Sequence, residues 1–256
     1  MFHELIYNFC IDHPHFPLDA EKVLAVARHT TGSKSESPMS KDVLMQMSTT
    51  TSISWDMNDI DDQFDNTAPV YMEEFDAKLP TGELVHCIRH LLFYAFNIGY
   101  NGFGCLPGRV GQHLGDFEEV ILIYHLPTSH DASHVLYGMF TFAHGMAREA
   151  KLTLAKDIVF TGNRINVWVA RNSNAHIPKP RTRVRFFGFA NDVVSSHGLS
   201  WIPANYKMLD ECWWYALPKF RWGGPDGPRT PGPISPVFLA EWEAKKQKDY
   251  AGLLVC

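Results

Sequence analysis

The stretch Gly111-Gln112-His113-Leu114-Gly115-Asp116-Phe117-Glu118-Glu119-Val120-Ile121-Leu122-Ile123-Tyr124 decides the fold class. Its second half is β-branched and aromatic and reads as a buried strand. Its first half loads the entrance of that strand with one imidazole and three carboxylates. Alternate side chains of a strand share a face, so Asp116 and Glu118 point one way and Phe117 and Glu119 the other. His113, three residues before Asp116 and across Gly115, can fold back to the Asp116/Glu118 side. Two carboxylates held together repel, and a bound divalent cation or a shared proton offsets the repulsion. Oxygen ligands with one imidazole suit Ca²⁺, Mg²⁺ or Mn²⁺ better than a thiolate-seeking ion. The competing reading of the same residues is a solvated acidic strand edge with a surface histidine.

Upstream, Ile88–Phe96 is another strongly apolar strand. It leads through Asn97 into a Gly-rich connection that delivers the chain to Gly111 and, lacking a Gly-Lys-Ser/Thr ending, is not a phosphate loop. Leu5–Ile11 reads as a strand closed by Asp12-His13-Pro14-His15-Phe16-Pro17, a proline corner where His13 and His15 are expected to face solvent. Asp19 caps a short helix over Ala20–His29. Residues 30–85 read as a loop-rich insertion that includes the acidic run Asp56, Asp59, Asp61, Asp62, Asp65. That run lacks the Gly and the terminal Glu of a calcium-binding EF-hand loop and is expected to be a solvated loop. Downstream, Val135–Ala143, a hairpin of Ile158–Phe160 with Ile165–Ala170, and Val184–Ala190 are strands. Trp213–Pro233 is irregular, and Ser235 with Pro236 starts a C-terminal helix through about Lys248. Strand after strand with no regular βαβ alternation predicts an all-β protein. The expected fold is a single antiparallel β-sandwich over 1–256, with long loops, a short N-terminal helix and a C-terminal helix.

With 256 residues and 45% hydrophobic composition the chain can bury a real core. The net charge of −5 and the lack of a long basic run exclude nucleic acid as the expected partner. Cys10, Cys87, Cys105, Cys212 and Cys256 are scattered and odd in number, the pattern of reduced thiols rather than of a zinc ribbon or disulfide scaffold. No signal peptide and no apolar run of about 20 residues is visible, so the expectation is a protein without a transmembrane segment, intracellular, cytoplasmic or peripheral to membranes.

Several separated segments, taken in order, resemble the family of vacuolar protein sorting-associated protein sixty-two. They are Phe93-Tyr94-Ala95-Phe96-Asn97; Gly115-Asp116-Phe117-Glu118, where the family shows Gly-Asp-Trp-Glu; and Phe142-Ala143-His144-Gly145. Asn174-Ala175-His176-Ile177-Pro178, Gly198-Leu199-Ser200-Trp201 and Phe220-Arg221-Trp222-Gly223-Gly224 complete the series. More distantly, the acidic stretch resembles the Gly-His-Arg-His-Asp-Trp-Glu motif of the necrosis- and ethylene-inducing cytolysins. Aligned on the carboxylates, that motif's His, Asp and Glu fall on His113, Asp116 and Glu118, and a further upstream Asp falls near Asn97. Gly115 stands where the motif has its second His. The resemblance implies a sandwich with a divalent-cation site at one end, and it brings the loops of His113, His144 and His176 to that end.

Three functions follow from these readings. The first is a non-enzymatic binding or assembly module, whose cation and aromatic loops hold a protein partner, a lipid headgroup or a glycan. The second is a metal-dependent hydrolase, with His113, His144 or His176 as base or ligand. The third is a purely structural scaffold component. No nucleophile-elbow serine and no His-Glu-x-x-His helix supports the hydrolase.

Overall fold

The computed structural model describes residues 2–29, 37–47, 52–79, 81–101, 109–126, 134–141, 151–181, 191–217 and 221–222. In chain order the strands of the first half are β1 (Leu5–Asn8), β2 (Arg28–His29), β3 (Ser52–Ser54), β4 (Val70–Lys78), β5 (Leu84–Asn97), β6 (Tyr100–Asn101), β7 (Arg109–Val110) and β8 (His113–His125). The second half adds β9 (Val135–Thr141), β10 (Lys151–Leu154), β11 (Phe160–Thr161), β12 (Arg164–Val169), β13 (His176–Ile177), β14 (Ser200–Trp201), β15 (Tyr206–Met208) and β16 (Arg221–Trp222). Two short helices, α1 (Ala20–Leu24) and α2 (Lys41–Met45), accompany them. The fold is an all-β sandwich.

Its larger sheet has the order β10-β9-β8-β5-β4-β15, and the facing sheet runs β11-β12-β1-β14 with β13 paired to β12. A smaller sheet, β16-β3-β2, is not hydrogen-bonded to either and packs on the outer face of the larger one. The long antiparallel pair β5/β8 is the spine, in register from Val85↔His125 to Asn97↔His113. Strand alternation explains its two faces. Ile88, Leu92, Tyr94, Val120, Leu122 and Tyr124 pack against Leu5, Tyr7, Ile165, Val167 and Trp201 of the five-stranded sheet. On the other side, Leu91 and Phe93 join Ile53, Trp55, Trp214 and Trp222, while Ile121 and Ile123 join Val85, Cys87 and Phe140. Covered on both faces, β8 has to be continuously apolar, which is why Val120–Tyr124 does not alternate. Each such aliphatic side chain fully buried contributes about 1.5–3 kcal/mol.

Two glycines permit this packing. Gly115 has φ +67°, and the pairing of β5 with β8 skips the Ala95/Gly115 position. The indole N–H of Trp55 donates to the Ala95 carbonyl there, at 3.2 Å. Gly198 lets a loop lie on β1: a Cβ would stand 2.0 Å from the Phe9 carbonyl oxygen, beside the bond from the Phe9 N–H to the Leu199 carbonyl.

Several local expectations are corrected. The sandwich is not purely antiparallel, because β1 runs parallel to β12 and β15 parallel to β4. The first helix stops at Leu24, since Arg28 and His29 are drawn off to pair with β3. Within 30–85, β4 is an integral strand of the large sheet rather than part of a loop. The acidic run is not merely solvated: Asp59 pairs with Arg28, Asp62 with His15, and Asp65 with Lys22. Cys10 and Cys212 are buried free thiols, and Cys87 is buried. Val184–Ala190, the Ser235–Lys248 helix, Cys105, Cys256 and His144 lie outside the described residues. Among the described residues no helix is long and apolar enough to cross a membrane.

Candidate functional site

Four of the residues singled out in the sequence, Asn97, His113, Asp116 and Glu118, lie at the joined ends of β5 and β8. Tyr94 stands directly opposite Asp116, Leu92 opposite Glu118, and Asn97 opposite His113. Asp116 and Glu118 share the face turned to the five-stranded sheet, and both are buried, as the alternation predicts. Glu119 points to the opposite face. There it is held by Arg89, which also reaches Glu73 at 3.1 Å.

The bonds of Asp116 set the character of the site. Its Oδ2 accepts from Asn97 Nδ2 at 2.8 Å and from Asn174 Nδ2 at 3.1 Å. Asn97 also donates to the Ser173 carbonyl at 3.2 Å, and its Oδ1 accepts the Gly99 N–H at 2.9 Å. Asn174 donates in addition to the Phe96 carbonyl at 3.1 Å. It is the one non-glycine residue with positive φ (55°) among those described, a conformation that Asn tolerates better than most side chains. The turn carrying Asn174 is fastened by Asn174 N–H to the Ala170 carbonyl at 3.0 Å. Ser173 Oγ donates to Asp192 Oδ1 at 2.7 Å. A turn after β12 is thus bolted onto the end of the other sheet.

The histidines serve other ends. Nδ1 of His113 donates to the Gly115 carbonyl at 2.7 Å, so in the neutral ring the lone pair resides on Nε2. His176 lies two residues past Asn174, but beneath the surface, its ring 5.4 Å from that of Tyr7 and only 2% exposed. Neither of its nitrogens has a hydrogen bond of normal geometry. Burial pulls its pKa down to about 3, which a backbone contact with Glu119 opposes only in part. The Tyr7 and Tyr94 hydroxyls are buried near it, likewise without a hydrogen-bond partner. Burial first, and then neighbouring Tyr7, Glu118 and Asp116, push the Tyr94 phenol well above its ordinary value. His13, expected at the surface, is buried; burial and then the charge of His15 bring it down to about 3. The rings of Phe9 and Phe16 enclose the imidazole, 5.0 and 5.5 Å away.

Amide hydrogens occupy Asp116 Oδ2, and no three His, Cys, Asp or Glu residues converge to hold a metal among the described residues. Asn174, the residue that completes the arrangement, opens the Asn174–Pro178 segment quoted from the sequence but was not assigned to the site there.

No family model and no curated protein matches the chain. A solved structure that aligns with it is the crystal structure of the non-toxic HaNLP3 protein, at 12% identity and TM-score 0.39, over 84% of this chain and 73% of that one. At that level the alignment carries no argument about site or activity.

Proposed function

We propose that the protein is a non-enzymatic binding or assembly module, of the vacuolar-sorting-62-like type that the sequence resemblance suggests. The observation that supports this is how the imidazoles of the acidic end are used. A general base works best with a pKa near the operating pH. His176 and His13 are held near 3. The carboxylate beside them is spent on joining two sheets. Such an end is built to hold a shape, and its partner, whether protein, lipid headgroup or glycan, would meet the loops this shape presents.

The test has two arms. Immobilised full-length chain is screened against a glycan array and against vesicles with and without anionic headgroups. Model ester and phosphodiester substrates are assayed in parallel. Saturable binding to one class, weakened by substitution of Arg171 and Asn172, the exposed and half-buried residues of this turn, is the expected result. Turnover of a model substrate that disappears in Asp116→Asn would replace this reading with the hydrolase.

A second reading adds Ca²⁺, Mg²⁺ or Mn²⁺ at this end. The observation in its favour is the buried pair Asp116 and Glu118 on one face of β8. A cation bound only by the folded state stabilises by roughly 2.7 kcal/mol at one hundred times its dissociation constant. This reading requires Asp116 to exchange its amide hydrogens for the ion, and elemental analysis of native protein checks it.

A further inference from the structure

We infer that Asn97 and Asn174 stand in for a cation at Asp116, so that this end of the sandwich closes with hydrogen bonds and needs no metal. The inference deepens the binding-module reading and rests on it.

The orientation of both amides carries the argument. An Asn side chain has one oxygen and one NH₂ end, and only its partners decide which faces where. For Asn97 the decision is made at both ends: Oδ1 accepts the Gly99 N–H, and Nδ2 faces two oxygens, those of Asp116 and Ser173. For Asn174 the NH₂ group again has two oxygen acceptors, Phe96 and Asp116. Turning either amide over would set oxygen against oxygen. The hydrogens therefore point at Asp116 Oδ2 and occupy the lone pairs of that oxygen. An ion placed there would meet the positive ends of two amide dipoles.

Charge supports the same conclusion. Asn97 is neutral at the position where a further carboxylate would favour a divalent ion. The amides also achieve what an ion would. Asn97 belongs to β5, Asp116 to β8, and Asn174 to the turn after β12, so three hydrogen-bonded side chains join the two sheets.

The experiment uses the full chain stripped of metal, followed by thermal unfolding with chelator and then with millimolar Ca²⁺, Mg²⁺ or Mn²⁺. The wild type is expected to melt at the same temperature in every condition. Asn97→Ala and Asn174→Ala should melt lower and remain indifferent to the ions. Asn97→Asp should melt lower without ions and regain several degrees with one of them, because it replaces an amide donor with a second carboxylate.

Should Asn97→Asp fail to fold, the side-chain NH₂ resonances of Asn97 and Asn174 in the wild type decide. They are expected to exchange slowly with solvent and to stay sharp when Mn²⁺ is added. A wild-type melting temperature that falls on chelation, a stoichiometric metal in native protein, or paramagnetic broadening of those two NH₂ groups would overturn the inference. None of these outcomes would touch the binding-module reading, which fails only through the turnover assay.

Discussion

The two faces of β8 each bury a carboxylate, and they hold it by opposite means. On one face Glu119 lies against the guanidinium of Arg89, itself 3% exposed and shared with Glu73. On the other, Asp116 is gripped by two neutral amides, within an inter-sheet layer that also holds Glu118, Tyr94 and His176. The first arrangement cancels charge. The second only solvates it with fixed dipoles, and gains direction in return, since an amide donates along a line while an ion pair attracts from many angles. The ion pair holds strands of one sheet together; the amides join one sheet to the other.

Acid should separate the two faces most strongly. His13, His90 and His176 lie on the inter-sheet side, and burial holds them at about 3, about 4 and about 3. Their folded pKa values are below the unfolded one of about 6.5, so between these limits the unfolded chain binds more protons and stability falls as pH drops. Each contributes a loss of about 1.4 kcal/mol per pH unit, or on the order of 6 kcal/mol for the three by pH 5. Urea unfolding at pH 7 and pH 5 measures this, and His90→Gln should reduce the slope by one proton. A flat profile would mean that the imidazoles are not buried neutral.

On the ion-pair face, Arg89→Met should cost about 3–5 kcal/mol, because it strands the buried Glu119 charge. A companion Arg89→Met/Glu119→Leu variant should recover much of that loss. If it does not, the value of the pair lies in packing rather than charge. On the amide face, Asn97→Ala should cost about 1.5–3 kcal/mol, the range for hydrogen bonds to a charged group. The smallest effect should come from Gly115→Ala. The left-handed backbone and a Cβ 3.1 Å from the Trp55 ring together cost about 1–2 kcal/mol. Equal losses for Asn97→Ala and Arg89→Met, measured by the same urea titration, would erase the contrast between the faces.

How much of this was legible beforehand differs by residue. The buried run Val120–Tyr124, the sandwich class and the shared face of Asp116 and Glu118 follow from composition and the two-residue repeat of a strand, which act locally. Asn174 did not stand out, because its role depends on a left-handed turn brought to Asp116 from 58 residues away. His13 and His176 were misplaced or left open for a related reason: nothing in their neighbours in sequence announces that Phe9, Phe16 or Tyr7 will cover them. The parallel pairing of β1 with β12 was equally hidden, since short strands show their faces but not their partners.

That pairing has a consequence in time. β1 is flanked by β12 through Leu5↔Ile165 and by β14 through Tyr7↔Trp201. At a synthesis rate of about 5–20 residues per second, its second neighbour emerges on the order of 10–40 s after it does. Until β12 emerges, on the order of 8–32 s after β1, Leu5, Ile6 and Tyr7 have neither ladder, while β4, β5, β8 and β9 can zip together through near neighbours. A late event in the assembly is then the return of the chain's first strand to the middle of a sheet made from the second half of the sequence. Closing so distant a contact is slow, and it leaves an apolar strand exposed to other chains while it waits.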